Sequence, residues 1–128
     1  MSDTVLPPSF HDPLAVDVAI VGGGPAGLMA AEVLSAAGRQ VHLFDAMPSV
    51  GRKFLLAGRG GLNLTHSEDR PAFDARYGAM QDWVARWLDD LDGVRVRAWA
   101  DALGAQTFVG SSGRGFPHEM KAAPLLRA

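Results

Sequence analysis

Val16-Asp17-Val18-Ala19-Ile20-Val21-Gly22-Gly23-Gly24-Pro25-Ala26-Gly27-Leu28 is the stretch on which the fold turns. Its first six residues form a short, mostly aliphatic run that ends directly in glycine. Such runs suit a parallel strand buried on both faces. Ala26 to Ala37 reads as a helix built from Ala, Leu, Met, Glu and Val, and Gly38 falls just past its last turn, where a left-handed cap is expected. Gln40 to Asp45, with Val41, Leu43 and Phe44, reads as a second strand. Strand, about a dozen helical residues and strand make the smallest right-handed crossover unit.

Residues 22–27 satisfy G-x-G-x-x-G, and each of the three motif glycines has a physical task. Gly22 permits the tight turn out of the strand. Gly24 removes a side chain where a pyrophosphate approaches the backbone, and Gly27 lets the helix pack closely. The helix N-terminus, with Pro25 and Ala26 in its first turn, offers unpaired N–H groups and a partial positive charge. Asp45, followed by Ala46, stands a little over twenty positions after Gly22, where an acid hydrogen-bonds an adenosine ribose. No arginine follows it immediately, which argues against a 2′-phosphate. The competing interpretation is a glycine-rich turn with an incidental acid. The expected fold class is α/β: a Rossmann-like FAD/NAD(P)-binding domain with a parallel sheet. The expected contacts are Gly22, Gly24, Pro25, Ala26, Gly27, Asp45 and Ala46. Glycines alone do not separate FAD from NAD, because both present the same adenosine diphosphate.

The 128 residues are 48% hydrophobic and 20% charged with a formal net charge of −2, which excludes a disordered chain and gives no electrostatic reason to expect nucleic acid or an anionic membrane. With no cysteine there is no disulfide framework or thiolate metal site, so redox chemistry must come from a bound cofactor. A cytoplasmic location is the expectation. Residues 1–15 carry Pro7, Pro8 and Pro13 and no signal-peptide core, so they read as a flexible lead-in to a domain over residues 16–128. The apolar runs are too short to span a bilayer.

Further along, a short helix is expected around Arg52–Ala57, followed by loop to Thr65, and residues 67–77 read as irregular. Met80, Trp83, Val84, Trp87, Leu88 and Leu91 fall at helical spacing on one face. Gly93 is expected to end that helix. Val94 to Leu103 then reads as another helix closed by Gly104, and Thr107 to Val109 as a strand running into the glycines at 110–115. The histidines His11, His42, His66 and His118 show no metal-ligand spacing. Trp83 and Trp87 suit core or interdomain packing, Asp89, Asp90 and Asp92 a solvated acidic end. Ser111 and Ser112 have no credible base.

Val-Gly-Gly-Gly-Pro-Ala-Gly-Leu at 21–28, with Ala-Ala-Glu at 30–32, resembles the opening of flavoproteins with two dinucleotide-binding domains. That resemblance implies FAD at the N-terminal loop and an acid, here Asp45, at the ribose. Gly51-Arg52-Lys53-Phe54-Leu55-Leu56-Ala57-Gly58-Arg59-Gly60-Gly61-Leu62-Asn63-Leu64-Thr65-His66 is similar to the signature of the HI0933-like (BaiN/RdsA, aminoacetone-oxidase-like) FAD-dependent flavoproteins. The later Gly-Ser-Ser-Gly-Arg-Gly-Phe-Pro, with Met120-Lys121 and Pro124-Leu125-Leu126-Arg127, resembles a subgroup of the same family. This chain departs at Ala57, Gly61 and Leu62, where the family often has Ser, Arg and Cys.

The family's greater length implies an N-terminal portion whose parallel sheet is incomplete and which is inactive alone. Membership implies a flavin-dependent oxidoreductase with a small-molecule substrate and NAD(P)H as an electron donor. The alternatives are an NAD-dependent dehydrogenase domain or a non-catalytic fragment. Arg52 and Lys53 suit charge partners for the dinucleotide, with solvated surface charge as the competing role. Gly60 and Asn63 suit contacts to the flavin ring, with a turn role competing for Asn63.

Overall fold

A computed structural model describes residues 16–57 and 60–128; the expected N-terminal lead and the residues Gly58 and Arg59 lie outside that range. The chain divides into two compact units, Met1–Val50 and Gly51–Ala128.

In the first unit, β1 (Val18–Val21) and β2 (Val41–Phe44) pair in parallel, with Val18 opposite Val41 and Val21 opposite Phe44. Helix α1 (Pro25–Ala36) connects them, which makes the unit the βαβ crossover of a Rossmann fold. Pro25 occupies the first turn, where its missing N–H has no intrahelical partner to lose. Gly38 ends the helix with φ +76°, and its N–H donates to the Ser35 carbonyl at 2.9 Å. Asp17 accepts the Gln40 N–H at 2.9 Å, pinning the start of β2 beside that of β1.

The expected burial of β1 on both faces is not found within this unit. Val18 and Ile20 are half-buried, but Ala19 is exposed and Val21 is 89% exposed. The reason is coverage: α1 is the one helix of the described residues 16–50, and it lies against a single face. Isolated from a second layer, an aliphatic strand keeps its other face in water.

The second unit opens with α2 (Arg52–Ala57) and then carries a three-stranded antiparallel sheet. Its strands are β3 (Thr65–His66), β4 (Thr107–Val109) and β5 (Arg114–Pro117), in the order β3-β5-β4. Thr65 pairs with Gly115, and Phe108 pairs with Phe116. Between β3 and β4 lie α3 (Arg70–Ala75), α4 (Gln81–Asp90) and α5 (Gly93–Ala102), and α6 (Ala122–Arg127) follows β5. Leu62, Ala100, Ala122 and Leu125 form the buried core, with Phe54, Leu64, Trp99, Leu103 and Ala105 packed around them.

Three sequence expectations are corrected here. Residues 67–77 are not irregular throughout: Arg70–Ala75 is a helix, with Pro71 in its first turn and an Arg70–Asp74 ion pair spaced one turn apart. Gly93 does not end α4 but starts α5, because Asp92 caps that helix by accepting the Arg95 N–H at 2.8 Å. Trp83 and Trp87 are not in the core of this unit; they are 59% and 65% exposed, and Arg86 stacks over Trp83 at 5.5 Å. The half-buried side of α4 is the one carrying Val84 and Leu88.

Arg70 joins α3 to the last turn of α4. Its guanidinium donates to Asp74, to Asp89 and to the carbonyls of Leu88 (2.8 Å) and Ala85 (3.2 Å). A cation there satisfies the Leu88 carbonyl, one of those the helix end leaves unpaired, and adds to the Ala85 carbonyl one turn earlier. The Asp74 hydrogen bond, set against desolvation and aided by Asp89, holds the Arg70 pKa above its ordinary value. Asp89 and Asp92 thus have structural partners beyond the solvated role expected of them.

The core is small, so each member carries a large share of it. Leu62 is 3% exposed, and Leu62→Ala is expected to destabilise the second unit by about 2–4 kcal/mol. Urea unfolding followed by tryptophan fluorescence checks this, since all three tryptophans lie in that unit.

Candidate functional site

The loop between β1 and α1 turns sharply at Gly22, whose φ of +103° disfavours any residue with a β-carbon. Its N–H donates to the Phe44 carbonyl at 2.7 Å, so the turn begins on the parallel ladder. Gly27 is required for space. A β-carbon there would stand 1.9 Å from the Gly22 carbonyl oxygen and 3.4 Å from Ile20 Cγ2. The expected close packing therefore involves the loop backbone first and the sheet second.

Gly24 is the N-cap of α1, and no side chain caps the helix there. A β-carbon on Gly24 would meet nothing within 4 Å, so the protein itself does not need glycine for room at this point. Pro25 and Ala26 are exposed, and no acidic residue stands in the first turn. The first N–H groups of a helix lack intrahelical acceptors, and here the N-cap residue supplies no side chain to them. Such an end favours an anion.

Asp45 follows β2 at the same end of the sheet. One carboxylate oxygen accepts the Gly23 N–H at 2.6 Å, and the other accepts the Met47 N–H at 2.8 Å. Asp45 and Ala46 are exposed, beside the glycine loop to which Asp45 is bonded. The structure thus brings Gly22, Gly24, Pro25, Ala26, Gly27, Asp45 and Ala46 together in one unit. Gly23 was not among the expected site residues, because the motif leaves its position open; its contact with Asp45 is a long-range one.

The remaining expected residues belong to the second unit. Arg52 and Lys53 open α2 and are exposed. The preceding Gly51 has φ +68°, and a β-carbon on it would lie 2.6 Å from Leu126 of α6. Gly60 is exposed, and a β-carbon there would meet nothing within 4 Å. Asn63, with its amide nitrogen turned toward the carbonyls, donates to Thr65 at 2.8 Å and to Gly115 at 3.3 Å. That is a turn-closing role between β3 and β5. Two of the three departures from the family pattern also have structural roles: Gly61 has φ +117°, and Leu62 is a buried core residue.

A cleft of about 340 Å³ in this unit is lined by His66, Glu68, Arg70, Phe73, Asp92 and Arg97 among others. Its charges have structural partners: Glu68 pairs with Arg76, Arg70 with Asp74 and Asp89, and Arg97 donates to Thr107. His66 bridges to the Ser112 carbonyl at 3.1 Å and accepts the Glu68 N–H at 3.2 Å, and a β-carbon on Gly113 would collide with its ring at 2.7 Å. Gly113, with φ +78°, serves a hairpin tip packed on His66.

The HI0933-like protein Rossmann domain family matches residues 16–128. Among curated proteins, a thiamine thiazole synthase of Methanosarcina acetivorans is 49% identical over 106 residues, covering 78% of this chain and 40% of that protein. A putrescine oxidase of Kocuria rosea is 35% identical over 92 residues, covering 72% of this chain and 16% of its own length. A ribosomal RNA dihydrouridine synthase of Haemophilus influenzae is 43% identical over 53 residues, covering 41% and 13%. The chain thus spans less than half the length of each of these relatives. Among the described residues, no helix is long and apolar enough to cross a membrane.

The glycine geometry separates folding from binding. Gly27→Ala is expected to cost upwards of about 2 kcal/mol of stability through overpacking. Gly24→Ala is expected to stay within about 1 kcal/mol of wild type, the scale of a cap substitution. Thermal unfolding of the two variants beside wild type checks the contrast.

Proposed function

This chain belongs to the HI0933-like Rossmann family, matched over residues 16–128, and we propose that it supplies part of the FAD-binding domain of a flavin-dependent oxidoreductase. The observation that carries the reading is the open glycine at position 24, over a helix N-terminus without a cap, with Asp45 anchored beside it. Those residues fit a dinucleotide. The N–H groups of Ala26 and Gly27 hold the pyrophosphate, with Gly22 and Pro25 shaping the turn, and the Asp45 carboxylate accepts ribose hydroxyls with Ala46 alongside. For Arg52 and Lys53 a part in offsetting phosphate charge, and for Gly60 and the Asn63 segment a part toward the flavin, are inferred from the family resemblance alone.

FAD rather than NAD is supported by the family and by the Gly51–His66 signature. A redox role is supported by a relative named as an oxidase. When bound, the flavin supplies hydride or electron transfer, and the protein orients and tunes it. The substrate is a small molecule, with NAD(P)H as electron donor. The absence of cysteine leaves redox chemistry to the cofactor.

Flavin absorbance and fluorescence on mixing purified protein with FAD test the proposal. Saturable binding is expected, and Gly24→Val should weaken it by about tenfold or more, the scale of a lost charge-assisted hydrogen bond. Binding of NADH without FAD, or unchanged FAD affinity in Gly24→Val, would contradict it.

A further inference from the structure

The glycine motif asks for glycine at positions 22, 24 and 27 and leaves position 23 open. Gly23 nonetheless has no room for a side chain. It is buried, and a β-carbon on it would lie 2.5 Å from Val50 Cγ1, 2.9 Å from Val50 Cβ and 3.0 Å from an Asp45 carboxylate oxygen. Its φ is not among the positive values, so backbone conformation is not the reason for glycine here. The reason is space, and Asp45 and Val50 fill that space.

We propose that Gly23 is a positioning residue for the ribose-binding acid: its N–H and its missing side chain fix the Asp45 carboxylate in one orientation, which selects adenosine with a free 2′-hydroxyl. This inference rests on the dinucleotide reading of the same loop. The Gly23 N–H donates to one Asp45 oxygen at 2.6 Å and the Met47 N–H to the other at 2.8 Å. Two donors on opposite oxygens fix the rotation of the carboxylate plane. An ionised carboxylate is an acceptor only, which suits a hydroxyl donor. A 2′-phosphate brings negative charge and no donor, and a carboxylate held at both oxygens does not swing aside for it. An alanine at 23 would drive its methyl group into Val50 and against the carboxylate, loosening the clamp while leaving the acid in the chain.

Binding of ADP-ribose and of ADP-ribose 2′-phosphate to the protein tests the proposal. Wild type should prefer ADP-ribose by about tenfold or more, and Gly23→Ala should bring that ratio toward one, mainly through lost ADP-ribose affinity. Val50→Ala in the Gly23→Ala background should restore part of the ratio, because it removes the nearest clashing atom. A residue that merely shapes the loop would weaken both ligands equally, and that outcome, or an unchanged ratio, overturns the proposal.

Amide hydrogen exchange supplies a readout without ligand. The Gly23 amide should be protected in wild type and exchange about tenfold faster or more in Asp45→Ala, from the loss of its carboxylate acceptor. An unprotected Gly23 amide in wild type, or no acceleration in Asp45→Ala, overturns the clamp. If wild type binds neither ADP-ribose form, the dinucleotide reading fails, and exchange still decides whether Gly23 holds Asp45.

Discussion

The carbonyl oxygen of Gly22 lies 1.9 Å from the point where a side chain on residue 27 would begin. That contact sets how close α1 comes to the turn that precedes it, and the rest of the first unit follows from it. With the helix drawn in, its N-terminus opens at the end of β1, and the Gly22 N–H reaches the Phe44 carbonyl of the neighbouring strand. Asp45, the next residue, is then near enough for its carboxylate to accept the Gly23 N–H. A methyl group at 27 would push the helix out and open each of these contacts in turn.

Two kinds of glycine result. Gly23 and Gly27 are needed by the protein, since a β-carbon would strike Val50 and Asp45 in one case and backbone in the other. Gly24 is not needed for room, since nothing stands within 4 Å of where its β-carbon would be. A glycine that the fold does not require, at the uncapped start of a helix, is best explained by something else that comes close. Gly60 in the second unit likewise has nothing within 4 Å of where its β-carbon would be, whereas Gly51 and Gly61 lie against Leu126 and Met120.

The βαβ unit was legible in the sequence because its signals are local. An aliphatic run, a glycine turn, a helix with Pro25 at its start and Gly38 at its end all act within a few residues of one another. The second unit was less legible, because its decisive contacts are distant in the chain. Asn63 closes on Gly115, His66 on Ser112, and Arg70 on the end of α4, pairings that no spacing rule reveals. Helix α3 was missed because a proline and two charged residues outweighed a weak pattern, although Pro71 sits where a helix tolerates it. Gly93 misled for a related reason: glycine marks helix ends in general, but Asp92 before it is a better start signal. Trp83 and Trp87 have helical spacing as expected, yet the side of α4 that this unit half-buries is the one with Val84 and Leu88.

The claim at the centre is that the Gly22–Gly27 loop and Asp45 together form the adenosine diphosphate site of a flavin. Titrating nitrogen-15-labelled protein with FAD, and following each backbone amide, tests it most directly. Saturable shifts concentrated at Gly24, Ala26, Gly27 and Asp45 are the expected result. Saturable binding that leaves those amides in place and moves others would contradict the account.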